Sequence, residues 1–387
     1  MSHTISLQSI PQDLLRVTSH VTELTKQPCF LVGGAVRDLV LGQTPKDFDI
    51  ATCLTPDQLL AVLPDIPGLL PALEIGKSFG VVVVRTEEGG EYEFAMFRED
   101  VGEGRRPDGG IRQSDILSDV RRRDFTMNAL FARLDDESGL VLDMVGGVKD
   151  IENRVVRCVG RASERFQEDP LRVLRAARFA TRFAGGTLEE SAFLAARSLV
   201  MSNGLQGVSS ERVFDEFQKG LKSAHSVKAY LELLERLGLL RVVFRGADLV
   251  TPVQSVSVFS HDIAVMAAQL LGHTEMSSKQ VSQLLIDLKW TGDLSVQTGF
   301  LLDFFKMTPE TAPSLKKRFQ TQVRLSDDWL KEVRLLCVSS DLFDKFLVFL
   351  GRDLSHLSQE LLDEGHKPGK LLGEELTRRQ VLMFLGE

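Results

Sequence analysis

Two aspartates, Asp47 and Asp49, stand one residue apart in the segment FLVGGAVRDLVLGQTPKDFDIAT, Phe30 to Thr52. In extended backbone that spacing puts both carboxylates on one side, with Phe48 and Ile50 on the other. Like charges held so close repel, so the pair calls for a positive partner. Upstream, Gly33 and Gly34 let backbone N–H groups come close to a phosphate. Arg37 follows on a short helix and offers a planar fork to phosphate oxygens. Glu93, on the polar face of a separate strand, is a candidate third carboxylate. Hard cations such as Mg²⁺ prefer carboxylate oxygens and share their shell with phosphates. Two such ions about 3.5–4 Å apart can activate a hydroxyl and stabilise a leaving oxygen. The chemistry implied is metal-dependent transfer of a nucleotidyl group from a nucleoside triphosphate, with loss of pyrophosphate. An isolated DxD pair is more often a solvated strand edge, and its neighbours set this one apart.

The elements that must carry these residues alternate between strand and helix up to about Gly160. Val81–Val84 is a β-branched run, and Glu91–Phe97 alternates Tyr92, Phe94 and Met96 with Glu91, Glu93 and Ala95. Beyond Gly160 the pattern is helical, as in Pro170–Phe183, Glu211–Leu221 and Val227–Leu237, and no strand is expected. The expected architecture is an α+β head, a small mixed sheet with helices, followed by an all-α neck, body and tail. Borders are expected at 1–20 for an added amphipathic helix, 21–160 for the head, 161–245 for the neck and 246–387 for body and tail.

A second cluster lies on the helix after Asp169-Pro170. Pro170 suits a first helical turn and Asp169 a cap before it. Arg172, Arg175, Arg178 and Arg182 recur at spacings of three and four, which places them near one helical face. They form either a solvated basic stripe or, through Arg172 with Asp169, a template for an incoming base. Asp124 likewise either caps a helix near Phe125 or meets a hydroxyl, with Arg123 beside it for phosphate.

The 387 residues are 43% hydrophobic and 26% charged, which suits two to four soluble domains. No apolar run reaches the ~20 residues of a membrane helix. The start MSHTISLQSIPQ lacks the pattern of a signal peptide. Cys29, Cys53, Cys158 and Cys337 are scattered without CxxC spacing, so a reducing cytoplasm is the expected location. A net charge of −8 argues against indiscriminate nucleic-acid binding but permits a basic groove.

Five motifs, in order, resemble those of the class II (bacterial-type) tRNA nucleotidyltransferases and their poly(A) polymerase relatives. They are Gly33–Thr52, RRDFTMNAL from Arg122 to Leu130, DMVGG from Asp143 with Asp150 after it, EDPLRVLR from Glu168 to Arg175, and GVSSERVFDEFQKGL from Gly207 to Leu221. The resemblance covers most of residues 30–245 and implies a tRNA nucleotidyltransferase that adds CMP and AMP to the tRNA 3′ end (CCA addition) with no nucleic-acid template. It implies Mg²⁺ on Asp47 and Asp49, with Glu93 as a further catalytic carboxylate. It also implies nucleotide contacts by Gly33, Gly34, Arg37, Arg123, Asp124, Arg175 and Arg178, and selection of CTP and ATP by Asp169 and Arg172. A carboxylate accepts from the amino group of C or A while a guanidinium donates to the adjacent ring nitrogen; U and G reverse that pattern.

The relatives differ in product. The segment after Arg98, with Arg105 and Arg106 in it, has the full length that CC-only enzymes lack. IGKSFG, from Ile75, resembles the tRNA enzymes more than the basic stretch of poly(A) polymerases. A-only addition stays open as the alternative, as do oligomeric state and a non-catalytic RNA-binding descendant. Ala95-Met96 departs from the two threonines usual in the tRNA enzymes. Lys367, Lys370, Arg378 and Arg379, around the turn GHKPGKLLG, are expected phosphate contacts for tRNA. His261-Asp262 with His273 could instead hint at a metal phosphohydrolase domain, for which an upstream partner histidine is missing at suitable spacing.

Overall fold

The computed structural model describes residues 3–74, 76–100, 111–134, 139–247, 253–256, 259–272, 274–322, 333 and 340–386. Arg105, Arg106 and His273 lie outside the described residues. The chain divides into two compact units, one of residues 1–208 with 223–225, the other of residues 209–222 with 226–387. Among the described residues no helix is long and apolar enough to cross a membrane.

The first unit is built on a seven-stranded mixed sheet. Its strands are β1 (Phe30–Val32), β2 (Ile50–Thr52), β3 (Leu69–Leu73), β4 (Val81–Thr86), β5 (Glu91–Met96), β8 (Phe131–Arg133) and β9 (Val141–Leu142), and their order is β3-β4-β5-β2-β1-β8-β9. Two short strands, β6 (Arg98–Asp100) and β7 (Ile111–Gln113), pair apart from it. Every neighbour in the main sheet is antiparallel except β2 and β5, where Ile50 faces Phe94 and Ala51 faces Ala95. Strand alternation appears as expected in β5, where Tyr92, Phe94 and Met96 are buried and Glu91 and Glu93 exposed. Burying Phe94 alone contributes about 2–3 kcal/mol. Phe30, Phe97 and Phe131 meet with ring centroids 5.8–6.3 Å apart, over Val32, Ala51, Val120 and Ala129.

Helices of this unit are α1 (Gln12–Thr25), α2 (Gly34–Val40), α3 (Pro56–Val62), α4 (Ile116–Arg122), α5 (Gly147–Glu152), α6 (Ala162–Glu168), α7 (Arg172–Ala180) and α8 (Glu190–Met201). Contrary to the sequence pattern, one strand lies beyond Gly160: β11 (Thr187–Leu188) pairs in parallel with β10 (Val155–Val156). Two residues are too few for a periodic signal, so only tertiary pairing reveals it. The second unit is helical, with a stacked pair Phe214–Trp290 at 4.5 Å and a further aromatic group around Phe300, Phe304 and Phe346. There Asp262 accepts from the backbone N–H of Val265 at 3.0 Å and caps the helix Ile263–Leu271. Capping accounts for this aspartate's place in the motif His261-Asp262.

The N-terminal segment is part of the first unit rather than an appendage. Ile5 N–H donates to Gly139 O at 2.9 Å, and α1 buries Leu14, Val17 and Val21. Asp13, 7% exposed, accepts from Thr86 Oγ1 at 2.7 Å and Tyr92 Oη at 2.8 Å, clamping the β4–β5 turn. Burial pushes the Asp13 carboxyl up, but the Thr86 and Tyr92 hydrogen bonds outweigh it and hold the pKa below the usual value. Asp13→Ala is expected to lose roughly 2–3 kcal/mol of stability in denaturant unfolding, because two buried hydroxyls lose their acceptor. A depressed folded pKa stabilises above the unfolded carboxylate range, and that gain fades as pH falls through the folded value. The gap between wild type and variant should therefore narrow in acid. A gap unchanged from neutral pH to about pH 3 would contradict this account.

Candidate active site

At the end of β1 the chain turns through Gly33, with φ +68°, into α2. That left-handed φ favours glycine, and a Cβ there would lie 3.2 Å from Arg123 Nη1. Gly33 N–H donates to Leu130 O at 3.1 Å and Val32 N–H to Asp49 O at 3.0 Å, so the turn is tied to both neighbouring strands. Asp47 and Asp49 lie just before β2 rather than within it. Continuing the β2–β5 register by one residue places Asp49 beside Glu93. Asp49 keeps solvent access, yet the walls around it strip water from its carboxylate and push its pKa up. Glu93 and Asp47 push the same way, and Arg123 opposes them. Asp49 therefore senses both of the other carboxylates. Among the described residues, however, no three carboxylate, imidazole or thiol groups close around one point as ligands would.

Arg37, one turn into α2, is 4% exposed. Its fork is already engaged: Nε donates to Asp38 Oδ1 at 3.0 Å and Nη1 to Asn128 Oδ1 at 2.5 Å. Burial lowers its pKa, Asp38 works against that, and Arg182 and Arg178 add to it. Asn128 donates from its amide to Asp124 Oδ1 at 3.1 Å, so one side chain orients both Arg37 and Asp124. Asp124 also accepts from Arg175 Nε at 2.9 Å and Nη2 at 2.6 Å, and from the backbone N–H of Phe125 at 2.8 Å. Burial would raise the Asp124 pKa, but the Arg175 charge and hydrogen bonds bring it below the usual value. Arg123 is held by Asp119 at 2.9–3.0 Å and lies 4.8 Å over the Phe131 ring.

The fourth motif is a corner between two helices. Helix α6 ends at Asp169, Pro170 cannot continue it, and α7 starts after Leu171. Asp169 is thus not the N-cap that its place before Pro170 suggests: its carboxylate reaches Leu171 N–H at 3.4 Å, and its carbonyl accepts from Arg172 N–H at 2.9 Å. The side chain of Arg172 bonds Glu168 Oε2 at 2.9 Å and the carbonyls of Arg165 and Arg122 at 3.1 and 3.0 Å. Arg178 stacks 4.3 Å from the centroid of Phe179, which Arg37 and Arg175 also flank at 5.2 and 5.7 Å.

All four arginines of the basic stripe line one cavity of about 900 Å³ within the first unit. Gly33, Gly34, Arg37, Asp47, Asp49, Arg123, Asp124 and Asp169 share it, so three motifs far apart in sequence meet. Ten arginines face six carboxylates there, although the whole chain is acidic. Glu93 is not among the lining residues and acts on the cavity through Asp49. Sequence reasoning passed over Asp38, Asp119 and Phe179. Asp119 had a signal, since it stands three and four residues before Arg122 and Arg123 on a helix. In the second unit, Lys367 is exposed at the turn before the helix Lys370–Leu385. Lys370 lies 3.7 Å from Glu374, Arg378 pairs with Glu375 at 2.7 Å, and Arg379 pairs with Glu364.

Residues 29–157 match the family described as poly A polymerase head domain, and residues 188–249 match the probable RNA and SrmB-binding site of polymerase A. The CCA-adding enzyme of Geobacillus thermodenitrificans is 38% identical over 214 residues, which are 54% of this chain and 49% of that protein. That of Streptococcus pyogenes is 37% identical over 225 residues, 57% and 53% of the two chains. The chain thus spans about half the length of the curated relatives it matches. Among solved structures, the Bacillus stearothermophilus CCA-adding enzyme in complex with CTP superposes with a TM-score of 0.65 at 25% identity, covering 97% of this chain and 93% of the other. A Thermotoga maritima CCA-adding enzyme complexed with tRNA has the same fold, with a TM-score of 0.68 at 20% identity over 100% and 96%. Over residues 29–157 and 188–249 the chain therefore carries a poly A polymerase head domain and the RNA-binding segment described for polymerase A.

Proposed function

We propose that this chain is a metal-dependent tRNA nucleotidyltransferase that adds CMP and AMP to the tRNA 3′ end, completing CCA without a nucleic-acid template. The observation that carries this reading is the arginine-rich cavity into which Gly33, Gly34 and Arg37, the Asp47–Asp49 pair, Arg123–Asp124 and Asp169–Arg182 converge. The CCA-adding names of its relatives and the CTP and tRNA complexes of its structural neighbours support the choice of substrates.

In this reading the 3′-hydroxyl oxygen of tRNA attacks the α-phosphorus of CTP or ATP. A new P–O bond forms, the α–β bridging bond breaks, pyrophosphate leaves and the hydroxyl proton passes to solvent. Arg37 and Arg123, both lining the cavity, would meet the triphosphate, and Asp124 would accept from a ribose hydroxyl in exchange for one of its four present donors. Asp169 and Arg172 stand at one corner of the cavity, with a carboxylate to accept from C or A and a guanidinium to donate. The basic groups Lys367, Lys370, Arg378 and Arg379 would meet tRNA phosphates, which position a duplex without reading its bases.

Asp47 and Asp49 suit Mg²⁺ as closely spaced oxygen donors, and Asp49, whose ionisation is disfavoured by burial and its acidic neighbours, gains most from a divalent charge. Bound there, the metal would lower the pKa of the attacking hydroxyl and stabilise charge on the phosphate. Cytoplasm is the location that fits a tRNA substrate.

Three tRNA transcripts, ending before CCA, after C and after CC, test the activity when incubated with Mg²⁺ and CTP, ATP or both. CCA on the first supports the reading; one A on the third alone means an A-adding enzyme; long A tails mean a poly(A) polymerase. Asp47→Ala should reduce extension by on the order of 10³-fold or more. Arg172→Ala should relax discrimination against UTP and GTP by about 10–100-fold, with unchanged discrimination excluding it as a base reader.

Metal-free protein provides a second check on Asp49. Its raised pKa means that the folded state binds the proton more tightly than the unfolded chain. Ionised Asp49 therefore destabilises the fold above the unfolded carboxylate range, and this penalty vanishes as pH falls below it. Asp49→Asn should raise Tm slightly near neutral pH, show no gain in acid, and abolish extension. A lowered Tm at neutral pH would overturn the crowding argument.

A further inference from the structure

Asp38, the residue after Arg37 on α2, is 9% exposed and serves two arginines from different elements. Its Oδ1 lies 3.0 Å from Arg37 Nε and 2.9 Å from Arg37 Nη2. From beyond the C-terminal end of α7, Arg182 Nη2 reaches the same carboxylate at 3.1 and 3.3 Å. Arg178 stands near them, stacked on the Phe179 ring that also faces Arg37. Three positive charges thus gather where Asp38 supplies the negative charge shared by two of them. Asn128 meets the remaining end of the Arg37 fork with a neutral oxygen.

We propose that Asp38 is a positioning residue: a built-in counter-ion that holds Arg37 and Arg182 together and yields part of that role to the pyrophosphate moiety of a bound triphosphate. The proposal rests on reading the cavity as a triphosphate site. Asp38 reacts with nothing itself; it sets where the Arg37 fork points and how strongly the site attracts a polyanion. The depressed basicity of Arg37 is consistent with a buried cation that needs this partner. Removing one member of such a group leaves the others uncompensated, and an incoming anion then relieves more repulsion than before.

Asp38→Asn keeps the shape and deletes the charge. Binding of inorganic pyrophosphate, measured by calorimetry at two salt concentrations, should tighten about 3–10-fold and become more salt-dependent. Turnover in the tRNA extension assay should fall by about 10–100-fold, because Arg37 exchanges two charge-assisted contacts to Asp38 for weaker neutral ones and loses its aim. Tighter anion binding with slower turnover is a split that a general loss of structure does not produce. The double variant Asp38→Asn/Arg182→Gln should return pyrophosphate affinity toward wild type, since one charge of each sign is gone.

Pyrophosphate binding that is unchanged or weaker in Asp38→Asn overturns the proposal. If that variant does not fold, the double variant decides: its folding supports charge compensation, and its failure shows Asp38 to be needed regardless of charge balance. Wild-type protein that extends no tRNA, while the variants shift pyrophosphate affinity as stated, would sink the enzymatic reading and leave the counter-ion standing. Normal extension with no affinity shift would do the reverse.

Discussion

Ten guanidinium groups around one cavity would drive each other apart unless something held them. Two such charges about 6 Å apart repel by roughly 3 kcal/mol at the effective dielectric of a protein surface. The cavity persists because buried carboxylates from other segments are threaded among the arginines: Asp38 on α2, Asp119 on α4 and Asp124 just after it, each 9% exposed or less. Asp38 links α2 to the far end of α7 through Arg182, and Asp124 links the second motif to α7 through Arg175. These pairs do more than neutralise charge. They staple the sheet-borne part of the cavity to the helix that follows it, so its two sides share one frame.

Arginine suits this arrangement in a way that lysine does not. Every cation among the described residues lining the cavity is arginine, and Arg37, Arg123, Arg165 and Arg172 each meet two or three acceptors at once. A flat fork can bond a carboxylate edge, a backbone carbonyl and an aromatic face together, whereas an ammonium is a strongly hydrated point charge. Phe179 uses that property: three arginines stand around one buried ring, whose faces attract them without adding a formal charge. The same fixed forks lose little freedom when a ligand replaces one acceptor by another, which favours sites already ordered before substrate arrives.

Much of this was legible in the chain. Alternation in Glu91–Met96, the glycine turn before Arg37 and the spacing of Arg172, Arg175, Arg178 and Arg182 depend on local geometry, and local geometry is what spacing encodes. Pairing across the fold is not encoded that way. Nothing near Asp38 announces Arg182, 144 residues away, and nothing near Asp124 announces Arg175. Asp169 misled for the opposite reason: an aspartate before proline is a strong local signal for a helix start, but the corner is shared with the end of α6, and the cap falls two residues later. Residues 1–20 gave an amphipathic pattern with no visible destination, because their destination is Thr86 and Tyr92 on the β4–β5 hairpin.

A cavity that carries its own counter-ions binds a polyanion differently from a bare basic patch. In a bare patch the ligand relieves all of the repulsion, so triphosphate and released pyrophosphate are both held tightly and turnover stalls on the product. Where carboxylates already offset much of the charge, the ligand gains only the difference between its phosphates and the internal acids. Affinity for the common phosphate portion is then moderate, and contacts to the base account for a larger share of the affinity. That balance matters for a protein whose candidate base-reading pair, Asp169 and Arg172, has only hydrogen bonds with which to separate C and A from U and G. The acidic residues inside the basic cavity thus keep the phosphate contribution, which is common to every triphosphate, from dominating the affinity.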